Sequence, residues 1–224
     1  MSLNARAWLA LLVVTVVMCA LLFGSAGTIR YWQAWVYVAI FVVASVPTSI
    51  YLMKKDPALL ARRMRGGPMF EKEGTQRIIM TFTSLGFIAI LVVPGLDRRF
   101  GWSTVPAWAV GLGDLLVAIG FLLIFVVYRA NTFTAATIQV APGQTVISTG
   151  PYAIVRHPMY ASGALYMFGI PVALASYWGY LALAAMMPFL LWRLVDEERI
   201  LRRDLPGYAD YGRRVRYRLV PFIW

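Results

Sequence analysis

The hydrophobic positions of this chain fall into long runs that are separated by short polar segments. A helix needs about 20 apolar residues to cross the hydrocarbon core of a bilayer. Six runs reach or approach that length, at residues 8–26, 32–53, 78–96, 106–128, 159–175 and 177–194. This pattern predicts an all-α integral membrane protein, a bundle of about six transmembrane helices. A count of five is the alternative, because little more than Ser176 separates the last two runs.

The composition supports the membrane assignment. The 224 residues are 60% hydrophobic and 14% charged, with a mean hydropathy of +0.69, whereas soluble domains carry about 25% charged residues. The first apolar run, with Arg6 before it and small residues after it, resembles a signal peptide. We expect it to be retained as a membrane span, because the apolar run is long and a second span follows at once.

Positive charge divides the loops into two sets. With six spans, Arg30, Arg98 and Arg99 lie on one side of the bilayer, and the rest of the 21 Lys and Arg residues lie on the other. Lys and Arg accumulate on the cytoplasmic side, so both termini and a C-terminal helix are expected in the cytoplasm; in a bacterium the membrane would be the inner one. Basic loops facing anionic lipids explain the net charge of +11 without nucleic acid as a partner.

Two polar segments on the basic side are long enough to have structure of their own. In residues 54–77, Asp56 is suited to cap a helix whose first residue is Pro57, which predicts an interfacial helix near 56–66. The alternative for this segment is a lid over a substrate entrance. The segment 129–155 is rich in Thr and Gln, and loops of that length are usually functional or disordered. We expect an ordered loop that covers a site.

The stretch 150–160, GPYAIVRHPMY, is polar and charged and lies between apolar runs. It holds His157, the single histidine of the chain, next to Arg156. Such a pair beside the bilayer is expected to act on an anionic or reactive group, and the alternative is a hydrogen-bonded structural histidine. One histidine and one cysteine, Cys19, cannot build a zinc site, and we expect no metal.

Acidic residues follow the last apolar run. Asp196, Glu197 and Glu198 come directly after it, and a spacing of four residues places Arg193 and Glu197 on one helix face. One interpretation is a solvated helix end with an Arg193–Glu197 ion pair. The other is a site in which the two glutamates receive hydroxyls or a cation while Arg193 holds an anion.

Taken in order, the motif GPYxxxRHPxY, two apolar helices, Arg-x-x-x-Glu-Glu and Tyr-x-x-Tyr resemble the isoprenylcysteine carboxyl methyltransferase family. They are also similar to the phospholipid N-methyltransferases, which share the same membrane core. The matching positions are Gly150, Tyr152, Arg156, His157, Pro158, Tyr160, Gly163, Arg193, Glu197, Glu198, Tyr208, Tyr211 and Pro221. The resemblance divides the chain into an N-terminal four-span membrane region, residues 1–130, and a methyltransferase core, residues 131–224.

The resemblance implies an enzyme that uses S-adenosylmethionine, held at the cytoplasmic boundary of the membrane. It implies that His157 and Arg156 approach the amino-acid end of the cofactor. The other implied cofactor-binding residues are Gly150, Tyr152, Pro158, Tyr160, Glu197 and Glu198. Arg193 and Glu197 are the implied catalytic residues, with Arg193 holding an acceptor carboxylate beside the methyl sulfonium. One departure is Gln144, where the family often has His or Lys.

The implied acceptor is a membrane-embedded lipid or a prenylated small molecule, methylated on a carboxyl oxygen. A carboxylate is already ionised at neutral pH and needs no strong base, and Arg193 is suited to bind it. The alternative is phospholipid N-methylation, in which the amine must lose a proton. Glu197 and Glu198 would then attract the ammonium headgroup.

Two further classes stay open. The C-terminal run VRYRLVPFIW is similar to the end of membrane sterol reductases, which use a nicotinamide dinucleotide phosphate that Arg213, Arg214 and Arg216 are suited to bind. A non-enzymatic membrane scaffold is the third class. Asp114, an acid inside the fourth apolar run, is a site candidate by its position, but we expect it on the outer side, far from the motif.

Overall fold

The computed structural model describes residues 1–71 and 73–224 and shows eight α-helices, without a β-strand, in that part of the chain. They are α1 (Leu3–Ala26), α2 (Trp32–Lys55), α3 (Pro57–Arg63), α4 (Gly74–Phe100), α5 (Ala107–Ala130), α6 (Pro158–Ala173), α7 (Gly179–Asp204) and α8 (Tyr208–Arg214). Short 3₁₀ turns lie at Pro68–Phe70 and Gly150–Ala153. The predicted all-α architecture is confirmed. Lys72, one of the basic residues counted above, lies outside the described residues.

Five helices, α1, α2, α4, α5 and α7, are long and apolar enough to cross a membrane. The apolar run 159–175, expected as a further span, forms α6, which has 16 residues. At 1.5 Å per residue this helix is about 24 Å long, shorter than the hydrocarbon core of about 30 Å. Helix length therefore supports five full spans, the alternative count. The shorter α6 is packed along α5 and also runs from one end of the bundle to the other.

The helix α3 begins as the sequence predicts. Oδ1 of Asp56 accepts a hydrogen bond of 2.9 Å from the backbone N–H of Leu59, which satisfies one of the free N–H groups of the first turn. Leu59 and Leu60 are buried against Ala7 of α1 and Leu52 of α2. These contacts fix α3 at the end of the bundle where α1 begins and α2 ends.

Within the bundle, α4 lies against α1 and α7, and α5 lies against α2 and α6. Glycines allow α5 and α6 to approach closely. A Cβ atom on Gly113 would lie 2.4 Å from the backbone nitrogen of Ala173, and one on Gly120 would lie 2.6 Å from Cβ of Tyr166. Because α6 is held so tightly along α5, its first turn is fixed relative to the rest of the bundle.

A buried polar cluster closes the end of the bundle where α6 turns into α7. The carboxylate of Asp97 accepts hydrogen bonds from the backbone and hydroxyl of Ser103, at 2.7 and 2.6 Å, and from the hydroxyl of Ser176, at 2.5 Å. The hydroxyl of Tyr31 donates to the carbonyl of Leu174 at 2.5 Å. The acid is thus fully hydrogen-bonded, as burial requires.

Candidate functional site

A cavity of about 400 Å³ lies at the opposite end of the bundle, where α4 begins and α7 ends. This volume is within the range of about 300–1,000 Å³ that is typical of small-molecule sites. Apolar side chains of α4 to α7 line its inner part, and residues from the segment 131–147 line its outer part. The segment has no helix of its own, and it lies in the cavity wall, where a loop that covers a site is expected.

The 3₁₀ turn Gly150–Ala153 brings the first motif residues to the cavity. Gly150 has a φ of 58°, in the left-handed region that glycine adopts most easily. The turn buries Tyr152, whose hydroxyl accepts a hydrogen bond of 2.9 Å from Nδ2 of Asn131. Burial raises the pKa of Tyr152. Its carbonyl accepts a hydrogen bond of 2.8 Å from the hydroxyl of Tyr211, which fixes α8 to the turn.

Arg156 joins the motif to α7 and to the C-terminal segment. Its Nη2 lies 2.9 Å from Oε1 of Glu198, with both side chains almost fully buried. Its Nη1 donates to the carbonyls of Val215 and Arg216, at 3.0 and 2.9 Å. Glu198 also binds Arg202 at 3.0 Å and Arg218 at 2.6 Å. One carboxylate therefore meets three guanidinium groups, and this region keeps a surplus of positive charge.

His157 is buried at the N-terminus of α6 and lines the cavity. Its backbone N–H donates to the carbonyl of Arg218 at 3.0 Å, so the C-terminal segment holds it in place. Its Nε2 atom is buried and has no hydrogen-bond partner among the residues described. Burial lowers the pKa of His157 below its usual 6.5, which favours a neutral imidazole at neutral pH.

Tyr160 and Glu197 contact one another in the wall of the cavity. The Tyr160 hydroxyl donates a hydrogen bond of 2.5 Å to Oε2 of Glu197, and the ring of Tyr160 meets that of His157 edge to face at 5.8 Å. Within the part of the chain that the structure describes, no Lys or Arg forms an ion pair with Glu197. Glu197 therefore contributes negative charge to the cavity, and the Arg193–Glu197 pair considered from the sequence does not form.

Arg193 lines the cavity, and both of its terminal nitrogens are engaged. Its Nη2 lies 2.8 Å from Oε1 of Glu71 and donates to the carbonyl of Ala136 at 2.9 Å. Its Nη1 donates to Oε1 of Gln76 at 2.9 Å, and Gln76 donates in turn to Asp196. Sequence reasoning missed Glu71 and Gln76, because they lie more than a hundred positions away and show no motif.

Tyr208 is a third residue whose role the sequence did not show. Its hydroxyl is buried and lacks a hydrogen-bond partner among residues 1–71 and 73–224, and its side chain lines the cavity. The Tyr-x-x-Tyr spacing was the available signal, but it fits packing of the C-terminal segment equally well. Both tyrosines pack in one hydrophobic cluster and line the cavity, but the Tyr211 hydroxyl is bonded to the carbonyl of Tyr152, whereas the Tyr208 hydroxyl is left for a ligand.

The structure brings most of the expected site residues to one cavity. Those that line it are Tyr152, Arg156, His157, Pro158, Tyr160, Arg193 and Glu197. Gly150 and Glu198 are not among the described residues that line the cavity. Gly150 shapes the turn that carries Tyr152, and Glu198 holds Arg156 from outside the cavity.

Comparison with known proteins gives the class to which this arrangement corresponds. Residues 108–205, which run from α5 to the end of α7, match the family model described as phospholipid methyltransferase. The resemblance inferred from the motif is confirmed over this part of the chain, which is similar to a methyltransferase family. The matched region contains His157, Glu197 and Arg193 but not Glu71.

Two curated relatives are similar to the chain. A cobalt-zinc-cadmium resistance protein, CzcN of Cupriavidus metallidurans, is 26% identical over 169 residues, which are 75% of this chain and 72% of the relative. A nickel-cobalt-cadmium resistance protein, NccN of Alcaligenes xylosoxydans xylosoxydans, is 28% identical over 132 residues, which are 57% of this chain and 58% of the relative. In the described part of this chain, no group of three or more His, Cys, Asp or Glu side chains is placed to hold a metal ion.

Proposed function

We propose that this chain is an S-adenosylmethionine-dependent methyltransferase whose acceptor is a lipid-like molecule of the membrane. The observation that carries the proposal is a pair of buried polar atoms on residues that line the cavity, Nε2 of His157 and Oη of Tyr208. The described residues leave both atoms without a hydrogen-bond partner. Buried polar groups are nearly always paired, so these two atoms fit a ligand that has polar groups of its own.

The chemistry of the residues fits this cofactor. Glu198 and backbone carbonyls engage the terminal nitrogens of Arg156. Its buried Nε atom has no partner among the described residues and is the atom suited to the carboxylate of the amino-acid end. His157 lies beside Arg156. Glu197 is suited to the ammonium group or the ribose hydroxyls, while Tyr152 and Tyr160 form aromatic walls. When bound, the cofactor supplies an electrophilic methyl group on a sulfonium.

The chain's own contribution to the reaction is orientation and a dry cavity. The hydrogen bond between Tyr160 and Glu197 fixes a carboxylate on the cavity wall, and Glu198 fixes the guanidinium of Arg156. The segment 131–147 covers the cavity and limits the access of water. Apolar residues of α4 to α7 line the inner part, which suits a hydrocarbon chain on the acceptor.

Two acceptor chemistries remain, and the contacts of Arg193 bear on the choice. Carboxyl O-methylation, the first expectation from the sequence, uses Arg193 to bind an acceptor carboxylate. The Glu71 carboxylate already occupies that guanidinium. Glu197 instead presents a carboxylate to the cavity, which favours an amine acceptor that must lose a proton. We propose amine methylation as the better-supported chemistry and carboxyl methylation as the second candidate.

We propose that the site faces the cytoplasm. The end of the bundle that holds the cavity also carries the basic segments 54–77 and 193–218, whereas Arg30 and Arg98 meet at the other end. The excess of Lys and Arg on cytoplasmic loops supports this orientation. Labelling of single cysteines introduced at the two ends of the bundle in intact cells would test it.

Cofactor binding by the purified protein is the first test. Isothermal titration calorimetry is expected to show binding of S-adenosylmethionine by the wild-type protein and by Glu73→Gln, whose side chain is exposed. His157→Gln and Glu197→Gln are expected to lose that binding while the bundle still unfolds cooperatively. Unchanged affinity in both variants would remove the site assignment. Binding of a nicotinamide dinucleotide phosphate instead would favour a reductase, and binding of neither would favour a scaffold.

The product identifies the acceptor. Membranes that contain the protein are incubated with methyl-labelled S-adenosylmethionine, and the labelled lipid is extracted. A methyl ester releases labelled methanol in mild base, whereas an N-methyl group withstands the same treatment. Base-stable label is expected for the amine acceptor, and volatile label would assign carboxyl methylation.

A further inference from the structure

Glu71 forms a buried ion pair with Arg193, which lines the cavity. The two side chains are 1% and 9% exposed, and their nearest oxygen and nitrogen atoms are 2.8 Å apart. Arg193 lies in the family-matched region, but Glu71 lies before it, in the segment between α3 and α4. The N-terminal half of the chain therefore supplies a buried charge to a site whose motif residues all lie in the other half.

Glu71 and the last residues of α3 also hold the loop 131–149 that covers the cavity. Oε2 of Glu71 accepts a hydrogen bond of 3.3 Å from the backbone N–H of Ile138. Arg63 donates to the carbonyl of Ala135 at 3.0 Å, and Arg62 donates to the carbonyl of Thr132. Arg193 donates to the carbonyl of Ala136 from the opposite side.

These contacts compensate for missing secondary structure. The loop forms neither helix nor strand between residues 131 and 149, so its backbone groups depend on side chains or water for hydrogen bonds. Four charged side chains supply such bonds, and bonds to charged groups are stronger than those between neutral groups. Glu71 is central among them, because it contacts both the loop backbone and Arg193.

We propose that Glu71 is a positioning residue of this site, which holds the loop 131–149 closed over the cavity and fixes Arg193 in its wall. Loss of the Glu71 carboxylate leaves Arg193 buried without its anionic partner and releases the amide of Ile138. The loop then opens, and the cofactor cavity of the proposed function loses its cover. Glu71 acts through the loop and Arg193 and does not itself react.

Hydrogen–deuterium exchange of the full-length protein in detergent, followed by mass spectrometry, tests this proposal. In Glu71→Gln, peptides from residues 131–149 are expected to exchange at least about tenfold faster than in the wild type, the effect of losing one hydrogen bond to a charged group. Peptides from α5 are expected to be unchanged. The control is Glu73→Gln, the same change at an exposed position two residues away, which is expected to leave the loop unaffected.

A conservative variant and kinetic measurements distinguish a positioning role of Glu71 from a contribution to the stability of the whole bundle. Glu71→Asp keeps the charge and is expected to restore part of the loop protection. In methyl-transfer assays, Glu71→Gln is expected to raise the KM for S-adenosylmethionine more than it lowers kcat. An equal loss of protection throughout the bundle, or an unchanged loop, would overturn the proposal.

Should Glu71→Gln fail to fold, the pair Arg63→Gln and Arg65→Gln replaces it. Arg63 contacts the loop, whereas Arg65 is exposed, and faster loop exchange is expected for Arg63→Gln alone. Equal exchange in the two variants would contradict the proposal. The exchange result does not depend on the cofactor. A wild-type protein that binds no S-adenosylmethionine would therefore end the proposed function while leaving the role of Glu71 to be decided by the exchange data.

Discussion

The hydroxyl of Tyr160 donates a hydrogen bond of 2.5 Å to Oε2 of Glu197. This bond joins α6 to α7 in the wall of the cavity. Each of these helices packs mainly on a different partner, α6 on α5 and α7 on α4. The bond therefore connects the two halves of the bundle at the site itself. It also fixes the orientation of a carboxylate that the described residues leave without a cationic partner.

Tyr160→Phe is expected to weaken S-adenosylmethionine binding by roughly tenfold or more, because a hydrogen bond to a charged group contributes about 1.5–3 kcal/mol. Calorimetry on the purified variant measures the effect. The matched control is Tyr180→Phe, whose hydroxyl donates to the carbonyl of Phe168 at 3.1 Å, outside the cavity. Equal affinities for the two variants would contradict a role for the Tyr160 hydroxyl.

Glu198→Gln is expected to destabilise the fold by about 3–5 kcal/mol, the usual cost of removing one partner from a buried ion pair. Arg156 would remain buried next to two further arginines with no carboxylate between them. Denaturant unfolding in detergent measures the loss. Asp204→Asn breaks an exposed pair with Arg203 and is expected to cost less than about 1 kcal/mol. A similar small change for Glu198→Gln would show that the arginines are stabilised by other contacts.

His157 is expected to make stability depend on pH in the acidic range. Because burial lowers its pKa below 6.5, the folded protein binds fewer protons at this residue than the unfolded chain. The free energy of unfolding is then highest above about pH 6.5 and decreases as the pH falls toward the folded-state pKa. Glu197 and Glu198 oppose the downward shift of the pKa, whereas Arg156 and Arg218 add to it.

Unfolding measured between pH 5 and 8, for the wild type and for His157→Gln, isolates this contribution. The stability difference between the two proteins is expected to change with pH below about 6.5 and to be constant above it. A constant difference across the whole range would mean that His157 does not change its protonation on folding.

Two glycines of α5 give a matched test of helix packing. Gly113→Ala is expected to destabilise the protein by about 1–3 kcal/mol, the usual cost of overpacking, because its Cβ would lie 2.4 Å from the backbone of Ala173. Gly111→Ala meets no atom within 4 Å and is expected to stabilise by about 0.5–1 kcal/mol through helix propensity. Thermal unfolding of both variants gives the comparison, and equal effects would exclude close packing of α5 on α6.

Much of the fold could be predicted from local patterns. Apolar runs located the long helices, although α7 continues ten residues beyond its run, to Asp204, and Asp56 with Pro57 identified the start of α3. The fifth run, 159–175, was expected to span the bilayer, and it forms α6, which extends from Pro158 to Ala173. Hydropathy located this helix but did not show what fixes its start, which is His157, whose backbone N–H bonds to the C-terminal segment.

The candidate site likewise has residues that the sequence indicated and residues that it did not. The residue types and spacing of 150–160 and 193–198 were enough to indicate His157, Tyr160 and Glu197, because the motif is local. The partner of Arg193 was not predictable, since Glu71 lies in another part of the chain and meets Arg193 only when α4 packs on α7. The sequence by itself determined which groups carry charge near the membrane boundary. The tertiary structure alone decided which of those charges are neutralised in ion pairs and which face the cavity, because pairing depends on distances that the packing of the helices sets.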